Sequence, residues 1–228
     1  MDDQSFEHII EQLTDETDWL KRGRALRKLR EYGTAVVPCL DHIFILLFDE
    51  KAPIRDLSAI LIRNLGAAAV PYLLDKLDSE DSGERKEAIW LLLECGNRFC
   101  TTTRLIKQVL DERYSQLPEW GQPESIIFDH FHKCLTDPDL SVRFKAASAL
   151  EEFGREISDT IPVFIETVIS GSDHEQNWAA LRLGRIGEPA YAACKALTAA
   201  TASDYGYTRL AAKNALALIL DKKEKQPE

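Results

Sequence analysis

The chain has 228 residues, with 28 Lys and Arg against 38 Asp and Glu, for a formal charge of −10. Its 45% hydrophobic and 29% charged residues suit a folded globular protein. The acidic balance disfavours a broad phosphate-binding surface, and no unbroken apolar run reaches bilayer-spanning length, so no membrane association is expected. In chain order, SFEHIIEQL sets Phe6, Ile9, Ile10 and Leu13 at helical spacing, and residues 1–17 are expected to form a capping helix. The acidic start MDDQSFEHII lacks the basic flank of a secretory signal. The five scattered cysteines (Cys39, Cys95, Cys100, Cys134, Cys194) read as reduced thiols, and the expected location is cytoplasmic. Residues 1–18 hold seven acidic residues and no Lys or Arg, and the basic run Lys21, Arg22, Arg24, Arg27, Lys28, Arg30 follows them. That run is read as a solvated helix surface compensated by the acidic segment, with phosphate binding as the alternative.

A repeating frame begins at Arg22. A small residue follows three positions on, an apolar one at seven and a glycine at eleven: Ala25, Leu29, Gly33. The frame recurs at Arg55 (Ser58, Ile62, Gly66), Arg85 (Ala88, Leu92, Gly96) and Arg143 (Ala146, Leu150, Gly154). It recurs at Gln176 (Ala179, Leu183, Gly187) without the arginine, and at Arg209 (Ala212, Leu216) without the glycine. The small and apolar positions share one helix face, where a small side chain admits a close neighbour. The glycine falls where a left-handed C-terminal cap would end the helix. A second apolar segment follows each turn, as in AVVPCLDHIFILLF, AAAVPYLLDKL and TIPVFIETVI. Pro38, Pro53, Pro71, Pro138, Pro162 and Pro189 all fall near expected helix starts rather than in interiors. Asp18, Asp137 and Ser172, the last with Glu175 as a capping box, are the expected helix openers. β-branched alternation is absent, so the fold class is all-α.

Between Arg85 and Arg143 the interval widens to 58 residues. TTTRLIKQVLDERY reads as a helix, SQLPEWGQP as a loop and ESIIFDHFHKCL as a helix, giving an irregular insertion over 115–136. Helix parity across residues 97–136 is open at the level of sequence. Trp120 in the loop is either an anchor for a partner or a plug packing the insertion down. The tail over 221–228, DKKEKQPE, is polar.

The frame D-x-x-V-R-x-x-A-A-x-A-L-x-x-x-G followed by a Pro-Leu helix resembles HEAT repeats, most nearly the short bacterial HEAT-like type also seen in phycobilisome lyases. DLSVRFKAASALEEFG matches it best, and GYTRLAAKNALALIL is a good C-terminal match. The resemblance implies one domain over 1–228, a right-handed α-solenoid (superhelix) of about six helix pairs whose second helices line a concave face. It implies a protein-protein interaction scaffold, with a HEAT-like DNA glycosylase or a phycobilisome-type chromophore lyase as alternatives. A protein or peptide is the expected partner. A DNA glycosylase would need basic second helices, which this acidic chain lacks.

Counting from the helix-initial prolines points His42, Tyr72, Asp75, Lys76 and Glu166 to the concave face, and Trp120 joins them as a candidate protein-binding residue. The repeated Arg22, Arg55, Arg85, Arg143 and Arg209, several with an acid four residues earlier, are expected to form a structural ion-pair ladder between units. His130 and Cys134 share a helix face while His132 points away, too few ligands for zinc. No GxSxG, GxxxxGK[ST] or GxGxxG occurs, so no catalytic residue, metal or cofactor is expected.

Overall fold

A computed structural model describes residues 3–15, 17–100, 123–154 and 157–221, and all regular structure among them is helical. The chain divides into two compact units, Met1–Pro123 and Glu124–Glu228. The first holds α1 (Asp3–Leu13), α2 (Trp19–Leu29), α3 (Leu40–Ile45), α4 (Ala52–Leu65), α5 (Val70–Lys76) and α6 (Ser82–Cys100). The second holds α7 (Pro123–Cys134), α8 (Leu140–Glu152), α9 (Ile157–Ser170), α10 (Asp173–Ile186), α11 (Cys194–Ala200) and α12 (Gly206–Asp221). The helix reading of 101–114, the 115–122 loop with Trp120, and residues 222–228 lie outside the described residues.

Caps start the first helices. The Asp18 carboxylate accepts the Leu20 and Lys21 amides, and Ser172 and Glu175 close the expected capping box. Each such cap stabilises its helix by about 1 kcal/mol. For α8 the expected opener Asp137 is displaced. Asp139 is the cap, accepting from Ser141 and Val142, while Asp137 accepts the Asp139 amide at 2.8 Å. The carboxylate nearest the orphan amides takes them, and the earlier one shapes the turn.

Glycines end the helices, with one exception. Gly33, Gly66, Gly154 and Gly187 have φ of +54°, +55°, +66° and +77°. At Gly33, Gly66 and Gly187 ψ is −132°, −127° and −137°, so these turns mirror extended backbone rather than the expected left-handed helical cap. That region is even more closed to a Cβ. Gly96 breaks the pattern: α6 runs through it to Cys100. A mid-helix glycine costs only about 1 kcal/mol against alanine, which buried Ala88, Ile89, Leu91 and Leu92 in the same helix readily outweigh.

Pro53, Pro71 and Pro189 occupy first turns as expected. Pro162 does not; it sits inside α9. It and Ser158, whose carbonyl it leaves without an amide, are both exposed, so water can supply the missing donor. The stretches 19–48 and 52–76 are long and apolar enough by composition to cross a bilayer. Gly33 and Gly66 break each into separate shorter helices, neither near the ~20 residues of a spanning helix.

The frame's small position is fully enclosed: Ala25, Ser58, Ala88, Ala146, Ala179 and Ala212 are at most 1% exposed. Leu29, Ile62, Leu92, Leu150 and Leu183 beside them are equally buried, each contributing about 1.5–3 kcal/mol; Leu216 is only half-buried. Within the first unit α2 packs on α1 and α4, and α6 on α4 and α5. Within the second, α9 packs between α8 and α10, and α10 lies against α12. The α10–α12 approach is closest at Gly184, where a Cβ would stand 2.9 Å from Ala215 Cα.

Candidate functional site

The second helices of the first unit carry the densest grouping of predicted site residues. On α3, Asp41, His42, Ile45 and, just past its end, Phe48 are exposed, Ile45 to 62%. The opposite face of α3 buries Ile43 and Phe44, which fixes the outward direction of the others. A cleft of about 360 Å³ opens beside them, lined by Leu13, Thr14, Arg22, His42, Ile45, Leu46, Asp49 and Glu50. Its floor is the buried pair Arg22–Asp49, with Nε 2.9 Å from Oδ2 and Nη2 donating to Oδ1 at 3.2 Å.

From α3 the surface continues onto α5. The Tyr72 hydroxyl donates to Asp41 Oδ1 at 3.0 Å, and its ring meets Phe44 edge-on at 5.7 Å. Burial, then the Asp41 contact, pushes the Tyr72 phenol above the ordinary tyrosine range, because both penalise a second negative charge there. Lys76 Nζ lies over the Phe44 and Tyr72 rings at 5.1 and 5.6 Å and binds Glu84 Oε2 at 3.1 Å. This links three helices, α3, α5 and α6, through one aromatic-cation cluster. Asp75 stands exposed at its edge.

A model of HEAT repeats matches residues 117–217. That stretch carries HEAT repeats. An engineered protein, Northeast Structural Genomics Consortium Target OR329, superposes on this chain with TM-score 0.50 at 19% identity, covering 95% of this chain and 97% of that one. That likeness shows the fold. A chain of the CpcE–CpcF complex of phycocyanin lyase from Nostoc sp. PCC7120 aligns over 94% of both chains at 20% identity, with TM-score 0.32. No curated protein matches.

Among the predicted residues, the structure brings His42, Tyr72, Asp75 and Lys76 onto neighbouring second helices. Glu166 lies in the second unit on α9, exposed, and accepts Arg143 Nη2 at 2.5 Å. Trp120 lies outside the described residues. Tyr72 and Lys76 hold their neighbours in place, whereas His42, Asp75 and the unforeseen Ile45 and Phe48 face outward.

The frame arginines form a ladder of a different kind from the expected acid-base rungs. Each donates through Nη1 to two carbonyls, or one, just before its own helix: Arg22 to Asp15, Arg55 to Asp49 and Glu50, Arg85 to Ser79 and Glu80, Arg143 to Asp137 and Pro138, Arg209 to Ser203 and Asp204. The arginine therefore staples the inter-unit loop, satisfying carbonyls that the preceding helix end leaves open. The acids four positions earlier, Asp18, Asp81 and Asp139, accept first-turn amides. Arg22 and Arg143 also pair with a carboxylate from a later segment, Asp49 and Glu166.

Sequence reading missed Glu151. Buried on α8, it receives Arg182 Nη1 at 2.6 Å and Arg185 Nε at 2.8 Å, both from α10. The contact holds the Arg185 guanidinium above its ordinary pKa. The only signal was two arginines outside the frame in LRLGRIG. His130 also resolves plainly: its Nδ1 meets the Ile126 carbonyl at 2.8 Å, as a helix-bound side chain.

Proposed function

We propose that this chain is a non-enzymatic protein-interaction module that holds a peptide segment of a partner across α3 and α5. The observation carrying this reading is the 62% exposed Ile45, with Phe48 nearby, at the mouth of a cleft of about 360 Å³ that His42, Asp49 and Glu50 also line. Large apolar side chains held in water beside a concavity are what a partner's anchor residue covers. The Tyr72–Lys76 cluster keeps this surface rigid, so little ordering cost falls on association. Exposed Asp41 and Asp75 favour a segment whose anchor is flanked by Lys or Arg. HEAT repeats typically mediate protein interactions, in keeping with this role.

Panning a random-peptide phage library on the intact protein tests it. Basic-apolar peptides are expected, and their fluorescence anisotropy titrations should weaken at least about tenfold with Ile45→Glu. Recovered peptides that bind Ile45→Glu and Asp75→Lys as tightly as the parent protein would overturn the reading.

A further inference from the structure

The acidic N-terminal segment neutralises only part of the basic run. Asp15 takes Lys21 at 3.0 Å, Asp18 takes Arg24 at 4.0 Å, and Asp49 takes Arg22. Arg27, Lys28 and Arg30 are exposed and have no ion pair among the described residues. Arg27 and Arg30 border a groove of about 470 Å³ between α2 and α4, lined by them with Leu26, Glu31, Leu57, Ile60 and Leu61. Leu57 and Ile60 are half-buried, although most apolar residues of α4 are fully enclosed.

Two independent features therefore coincide in a chain of charge −10: an apolar floor left partly open, and two unneutralised cations, Arg27 and Arg30, at its edge against one carboxylate, Glu31. A solvated basic stripe would need no apolar floor. A groove for a neutral apolar peptide would gain nothing from the cations. Both are used by a segment carrying alternating leucine-type and Glu or Asp side chains.

We propose that the α2–α4 groove binds an acidic, leucine-rich segment of a partner protein, its apolar side chains on Leu57, Ile60 and Leu61 and its carboxylates against Arg27 and Arg30. This surface lies on first helices and is separate from the α3–α5 face, so its partner is of the opposite charge.

Anisotropy titrations of the intact protein would use three fluorescein-labelled probes: a short peptide repeating Glu-Leu-Leu-Glu, its Lys-for-Glu counterpart, and a single-stranded DNA oligonucleotide. The acidic peptide is expected to bind, the basic one not. Arg27→Glu with Arg30→Glu, both exposed and so compatible with folding, should weaken the acidic peptide on the order of tenfold or more. Ile60→Ser should weaken it too, and Ile45→Glu should leave it unchanged. No binding of the acidic peptide, or equal binding by the charge-reversed variant, overturns the proposal. DNA binding that is lost on charge reversal but indifferent to Ile60→Ser, with no peptide binding, would make the surface a nucleic-acid contact and overturn it likewise.

Discussion

Arg22 and Arg209 occupy the same frame position and both donate through Nη1 to carbonyls just before their own helices, Arg22 to one and Arg209 to two, yet they should differ sharply in worth. The Arg22 side chain and Asp49 are each 6% exposed, whereas Arg209 is exposed. Arg22→Ala leaves the Asp49 carboxylate enclosed without its cation, a loss of about 3–5 kcal/mol for a buried pair. Asp49 Oδ1 keeps the Lys51 amide at 2.8 Å, which sets the figure near the lower end. The Asp15 carbonyl, 2.6 Å from Nη1, loses its donor as well, adding about 1 kcal/mol. The sum is about 4 kcal/mol, a large share of the ~5–15 kcal/mol that holds a domain folded. Arg209→Ala should cost about 1 kcal/mol or less, since water reaches its carbonyls. Urea unfolding of both variants, compared at constant slope, measures the two values. Arg22→Ala combined with Asp49→Asn should be milder than the two single costs added, because the second change removes the stranded charge. Equal costs for Arg22→Ala and Arg209→Ala, or strict additivity in the double variant, would refute burial as the source of the difference.

Gly184→Ala should destabilise by about 1–3 kcal/mol in a thermal melt, because the new Cβ meets Ala215 Cα at 2.9 Å; a helix without that crossing would instead gain about 1 kcal/mol, so the sign decides. Gly33→Ala should also destabilise, by about 1–3 kcal/mol, although its Cβ would meet nothing within 4 Å, because the cost is the backbone at φ +54°. The raised phenol of Tyr72 stays protonated in the folded chain when its unfolded counterpart ionises, so its contribution is complete below pH 10.0 and declines as pH rises above it. Melts across that pH should therefore fall more steeply for the parent than for Tyr72→Phe. Glu151→Ala leaves Arg182, 18% exposed, with only its longer 3.4 Å contact to Glu152 and should cost about 3 kcal/mol, with Glu151→Gln milder. Urea midpoints that leave the two variants equal would show that the charge does not matter.

The repeat itself was legible because each of its parts is local. A small residue, a leucine and a glycine at fixed offsets encode a buried stripe and a chain reversal within one helix, and five successive frames bury both positions as expected. Asp18 and Ser172 were readable as caps for the same reason: a cap reaches amides two or three residues away. Where several local solutions compete, sequence was less decisive. Asp137 and Asp139 were both able to open α8, and Gly96 was able to end α6 or be carried through it.

What the sequence alone determined, then, is the unit: helix, glycine turn, second helix, with an arginine in five of the six frames. Tertiary structure decided which of those arginines is buried, that Glu151 sits between two arginines more than thirty residues away, and that Ile45 and Phe48 face water while Phe44 does not. It also decided that, among the described residues, Arg27, Lys28 and Arg30 lack acids of the kind that neutralise Lys21 and Arg24. The physical reason is range. Backbone conformation and capping are fixed by neighbours a turn away, whereas burial and charge compensation depend on which faces meet when units stack, and no single frame carries that information.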